Sequence, residues 1–139
     1  MSALDQLVRL HRWRLEEERR KMAELQRLAE RLTDQIKTLD ESLEREAVAV
    51  KENKTLEMAR AFAAFADLAR LRREKLARSQ TDVNLRIEQA RESVLETYRE
   101  LEKYEQAHKT REDRKQADIR RRERIREDEI GMDLHRRRR

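Results

Sequence analysis

The sequence predicts an all-α protein: a long antiparallel two-helix coiled-coil hairpin with a C-terminal single-helix overhang. Three observations carry that expectation. Charged residues make up 47% of the 139 residues, against about a quarter in ordinary globular domains. Gly, Pro and Cys together number one, which removes the turn chemistry that strand-rich folds need and excludes disulfides and thiolate metal sites. Two apolar stripes repeat every three to four residues, so the high charge does not signal disorder. The longest purely apolar run is Ala61 to Ala66, far short of the roughly 20 residues that cross a bilayer. No secretory signal pattern opens the chain.

The first arm is expected over residues 3–52. Its stripe reads Leu4, Val8, His11, Leu15, Glu18, Met22, Leu25, Ala29, Leu32, Ile36, Leu39, Leu43, Glu46 and Val50, eleven of fourteen being apolar. This is the 3.5-residue period that winds helices into a left-handed coiled coil. The turn is expected at 53–56, with Asn53 tolerating left-handed backbone and Thr55 capping the next helix. The second arm, 57–108, carries Phe62, Ala66, Ala69, Arg73, Leu76, Gln80, Val83, Ile87, Ala90, Val94, Thr97, Leu101, Tyr104 and His108, ten of fourteen apolar.

With the turn centred near 54, partner numbers should sum to about 108. Leu43 then faces Phe65, Leu32 faces Leu76, Leu25 faces Val83, Leu15 faces Val94 and Leu4 faces Tyr104. Each arm would measure roughly 75 Å at 1.5 Å per residue. A parallel homodimer, each stripe pairing with itself, is the alternative; the matched stripe ends favour the hairpin. Four-apart pairs such as Glu16/Arg20, Glu17/Lys21, Glu41/Arg45 and Glu74/Arg78 should support the outer faces by a few tenths of a kcal/mol each.

From Lys109 to Glu129 the seam disappears and sixteen of twenty-one residues are charged. Such a segment suits a single exposed helix or one awaiting a partner. Ile119, Ile125 and Ile130 are isolated apolar positions, Gly131 is a candidate C-cap, and Arg136–Arg139 form a basic tail. Residues 1–108 hold 22 basic and 22 acidic side chains, and residues 109–139 hold 13 and 8, so the whole +5 lies in the overhang. A positively biased projecting helix suits an acidic surface or pore; the arginine tail read alone would serve solubility.

Catalysis finds no support in the sequence. There is no phosphate-cradling Gly loop and no nucleophile elbow. His11 and His108 sit on the seam and read as irregularities in it rather than metal ligands, and no cofactor or metal is expected. A nucleic-acid reader is the rival for Arg120, Arg121, Arg122, Arg124 and Arg126. However, Glu123, Glu127, Asp128 and Glu129 interrupt the run, and a basic zipper places its basic helix before the coil. Stacking aromatics are also missing, so no specific nucleic acid is expected. Two apolar features lie off the seam. Trp13 is a flanking or exposed anchor. Phe62, Phe65, Leu68 and Leu71 spread a wider apolar face than a two-stranded coil covers, so either the turn folds over it or a partner does.

The whole pattern resembles the FliJ family of flagellar type III export proteins. The resemblance rests on the run from Leu7 to Arg19 with Trp13-Arg14 and Glu16-Glu17-Glu18-Arg19. It also rests on Leu28 to Ala47, the aromatic segment around Phe62, the Glu92 to Gln106 block, and Asp128-Glu129-Ile130 with Arg124 nearby. It implies a non-enzymatic cytoplasmic coiled coil, peripheral at the inner face of the membrane and similar to the stalk of rotary ATP synthases. The implied partners are the hexameric export ATPase, the cytoplasmic domain of the export gate and the export chaperones, with a role in flagellum biogenesis and motility. On this reading Phe62, Phe65 and Leu68 are candidates for the export gate. Arg120, Arg121, Arg124, Asp128, Glu129, Ile130 and Trp13 are candidates for the ATPase ring. A generic coiled-coil scaffold is the other reading.

Overall fold

The computed structural model describes residues 2–138, so Arg139 of the basic tail lies outside the described residues. Two helices account for nearly all of them: α1, Ala3–Glu52, and α2, Leu56–Arg137. They pack against each other as a helical hairpin. The chain clusters into two compact units, Glu16–Leu95 and Met1–Leu15 with Glu96–Arg139.

The turn belongs to the first of these. The Thr55 N–H donates to the Asn53 carbonyl at 2.9 Å, and the Met58 N–H donates to Thr55 Oγ1 at 3.3 Å. Thr55 is thus the N-cap of α2, satisfying an amide that the helix leaves open. Asn53 does not use left-handed backbone, since no described residue has positive φ. Its N–H instead closes the last turn of α1 onto the Ala49 carbonyl at 3.1 Å.

Above the turn, burial follows the two stripes. Leu32, Ala69 and Val83 are the buried residues of this unit. Met22, Leu25, Ala29, Ile36, Leu39 and Leu43 are half-buried on α1, as are Phe62, Ala66, Leu76, Gln80, Ile87 and Ala90 on α2. The register differs from the expected one. Arg73 donates twice to Asp40, at 2.9 and 3.3 Å, and Gln80 donates to Thr33 Oγ1 at 3.1 Å. These partner numbers add to 113, not 108, so Leu32 lies level with Thr81 rather than Leu76. The reason is at the start of α2. Leu56 is 69% exposed, and the helix climbs more than one turn before Phe62 reaches the seam. The bidentate Asp40 carboxylate also pushes the Arg73 guanidinium pKa up.

In the second unit α1 begins with a reciprocal cap. The Asp5 N–H donates to Ser2 Oγ at 3.2 Å, and Ser2 N–H donates to Asp5 Oδ2 at 3.0 Å, the capping-box arrangement with Asp in place of Glu. Val8, His11 and Leu15 are buried with Thr97 and Leu101. No described side chain anywhere is fully enclosed, because two helices cover each other along one stripe only.

Two further expectations change. Gly131 does not end the helix; α2 continues through it to Arg137. Nothing lies within 4 Å of where its Cβ would be, so no packing demands glycine there. Glu16 and Glu17 pair three residues on rather than four, with Arg19 at 3.5 Å and Arg20 at 3.1 Å, whereas Asp82 does pair four residues on, with Arg86 at 3.3 Å. Arg45 bonds Ser42.

Candidate partner-binding surfaces

The extension of α2 is built by default rather than by packing. Beyond His108 the sequence offers no seam residue, yet Arg, Glu, Asp and Lys at high density keep the helix going. Every described residue from Lys109 to Arg138 is exposed. Its ion pairs among the described residues lie within the helix, Lys115 with Glu112 at 4.0 Å and Arg121 with Asp118 at 3.7 Å. Arg121, Arg124 and Asp128 share one face by their three- and four-residue spacing, with Arg120 at its margin. Ile130, 54% exposed, falls on the opposite face, half a revolution from Arg121 at about 100° per residue. Glu129 lies between. The six residues therefore surround the helix.

The root of this extension is fastened by polar contacts between α1 and α2. His11 is buried, with Nδ1 2.8 Å from the Leu7 carbonyl and Nε2 3.2 Å from a Glu100 carboxylate oxygen. Its ring centroid is 4.7 Å from that of Tyr104. Arg12 pairs with Glu105 at 3.0 Å and His108 with Asp5 at 2.5 Å. Asp5 sits below the usual carboxylate range, chiefly because the Ser2 N–H and hydroxyl donate to it, with His108 adding to the effect. The two seam histidines thus hold carboxylates across the helix pair, a role their seam position alone did not reveal. Among the described residues no group of three His, Asp or Glu is placed to hold a metal ion.

Trp13 is 61% exposed but does not join the extension. In this unit the Asp5–His108 pairing puts Trp13 level with about residue 100 of α2. Arg120 lies some twenty residues further, roughly 30 Å along the helix. Trp13 has other company: Leu7 and Leu10 are 37% and 40% exposed and share its three-residue spacing. Sequence reasoning weighed Trp13 alone. The signal it passed over was this short off-seam row beside it.

In the unit that holds the turn, Phe62 is half-buried on the seam, whereas Phe65 and Leu68 are 37% and 69% exposed. Leu71, 56% exposed, continues the row. Phe65 and Leu68, three residues apart, therefore share one outer face, and Phe62 lies on the seam. Leu68 and Leu71 stay more than half exposed, so the turn does not cover them.

Among the described residues no helix is long and apolar enough to cross a membrane. No curated protein and no solved structure matches the chain. The family model described as flagellar FliJ protein matches residues 1–139, the whole chain, and the protein accordingly belongs to the FliJ family of flagellar export components.

Proposed function

We propose that the protein is a non-enzymatic coupling component of the flagellar type III export apparatus. It binds the export ATPase ring through the extension and the cytoplasmic domain of the export gate through the Phe65/Leu68 patch, and it assists export chaperones. It works in the cytoplasm, at the inner face of the membrane. The observation that carries the reading is the extension itself: thirty consecutive exposed residues from Lys109 to Arg138, in the segment that holds the entire net positive charge. A helix with charges on every side suits a partner that surrounds it, and a ring lumen lined by acidic groups would attract it over a distance set by ionic strength.

Deletion of residues 109–139 tests the first contact. Binding to the ATPase ring should fall at least tenfold, about 1.4 kcal/mol, while the remaining helices stay folded by circular dichroism. Unchanged affinity refutes it. Phe65→Ala tests the second: affinity for the export-gate domain should drop with helicity intact, and undiminished binding removes that contact from the account.

A further inference from the structure

The charges at the middle of the extension, residues 120–129, form a palindrome of opposite signs broken only at Arg124 and Ile125, while Arg114, Lys115, Asp118 and Asp133 further out meet no opposite charge. Counting outward from the point between Arg124 and Ile125, Glu123 answers Arg126, Arg122 answers Glu127, Arg121 answers Asp128 and Arg120 answers Glu129. Then Ile119 answers Ile130, and further out Asp113 answers Arg136 and Glu112 answers Arg137. A segment with this symmetry is complementary to itself when reversed.

Helix geometry places the right members of that pattern on one face. Positions 112, 116, 119, 123, 126, 130, 133 and 137 step by four and three in alternation, so they share the face that a coiled coil would use although only Ile119 and Ile130 are apolar, and reversal about the same point maps this set onto itself. Two copies laid antiparallel would stack Ile119 of each on Ile130 of the other and set Glu123 against Arg126. On the flanks, Arg120 would meet Glu127 of the second copy and Arg122 would meet Glu129. The like-charged matches, Arg111 with Arg138 and Lys115 beside Arg136, fall at the two ends. Parallel alignment in the same register would set Arg126 on Arg126 and Glu123 on Glu123.

The surface is open in the folded chain. Ile119 is 47% and Ile130 54% exposed, and the ion pairs of the extension among the described residues engage Glu112, Lys115, Asp118 and Arg121 only within the helix.

We propose that residues 112–137 are a homotypic docking surface, at which two copies of this chain pair antiparallel about a two-fold axis between Arg124 and Ile125. Such a contact is isologous, each side meeting the other's equivalent surface. It has few apolar layers and many partly exposed ion pairs, so it is weak and sensitive to salt. Pairing occupies Arg120, Glu129 and Ile130, so a self-paired chain withholds them from any other partner. The inference rests on the charge pattern and stands whether or not the extension enters an ATPase ring.

The test uses the full-length chain and sedimentation velocity. At about 0.05 M salt a dimer should appear, and by about 0.5 M its dissociation constant should rise at least tenfold. The E127R/E129R double variant should weaken the low-salt dimer at least tenfold, and adding R120E/R122E to it should restore pairing, because the charges are then merely exchanged. Oxidation of a mixture of I119C and I130C chains should give the mixed 119–130 disulfide in excess over either homodimer, the native sequence having no cysteine. A chain that stays monomeric up to about 1 mM would overturn the proposal. So would a dimer indifferent to the charge reversal, or cross-links dominated by 119–119 and 130–130 pairs.

Discussion

The two ends of α2 share a backbone but not a fate. Between Phe62 and His108 its apolar residues recur with the coiled-coil period, and the helix is held against α1 along that line. After His108 the helix continues with similar helix formers and no period, and it stays unpartnered within the chain. Helix propensity is comparable on both sides of the boundary, so propensity does not decide which part packs. The spacing of roughly one apolar residue in every three or four does. The first part of the helix is packed, and the rest is open surface.

Substitutions at matched apolar positions should break this contrast most visibly. Leu32→Ala removes a side chain that is 8% exposed and should lower unfolding stability by about 2–3 kcal/mol. Ile119→Ala, at 47% exposure, should cost less than about 0.5 kcal/mol; thermal denaturation followed by circular dichroism compares the two. A next-largest effect is expected at the turn. Thr55→Ala deletes the bond to the Met58 amide and should cost about 1 kcal/mol, read as a lower urea midpoint with the m-value unchanged.

Gly131→Ala sharpens the comparison from the other side. With nothing near the new Cβ, it should favour the helical state locally by about 0.5–1 kcal/mol without moving the main unfolding transition. Slower amide exchange around residue 131 would register it. The smallest effect concerns Asp5. Its pKa is lower in the folded chain than the ordinary value, held down first by Ser2 and also by His108. The carboxylate therefore contributes stability above the ordinary range, about pH 4, and loses that contribution as pH falls through its lowered folded value. The difference in thermal midpoint between wild type and Asp5→Asn should shrink as pH falls below about 4.

What could be read from the sequence follows from the same physics. The seam was legible because periodicity is a property of the chain alone: Val8, Leu32, Ala69, Val83 and Leu101 all lie on the two stripes and all are buried. The register was not, because it depends on how far α2 climbs from Thr55 before its side chains meet α1, a three-dimensional quantity that a midpoint at residue 54 misjudges by about one turn. Gly131 misled because its usual value as a cap does not operate where a helix simply continues into solvent. At the surfaces, the charge excess after Lys109 and the apolar row at Phe65 and Leu68 were visible as composition. The carboxylate contacts of His11 and His108 were not, since they join residues 89 and 103 positions apart. The grouping of Leu7 and Leu10 with Trp13 required knowing which face α1 turns outward.

One distance tests the contrast most directly. Spin labels at Thr33→Cys and Gln80→Cys replace a hydrogen-bonded pair across the two helices. In doubly labelled protein diluted with unlabelled chains, the account predicts a separation of roughly 10–20 Å, helix axes being about 8–10 Å apart. A separation beyond about 40 Å, or a short one that disappears on dilution, would mean that α2 finds its partner in another molecule, and the division of this helix into paired and free halves would fail.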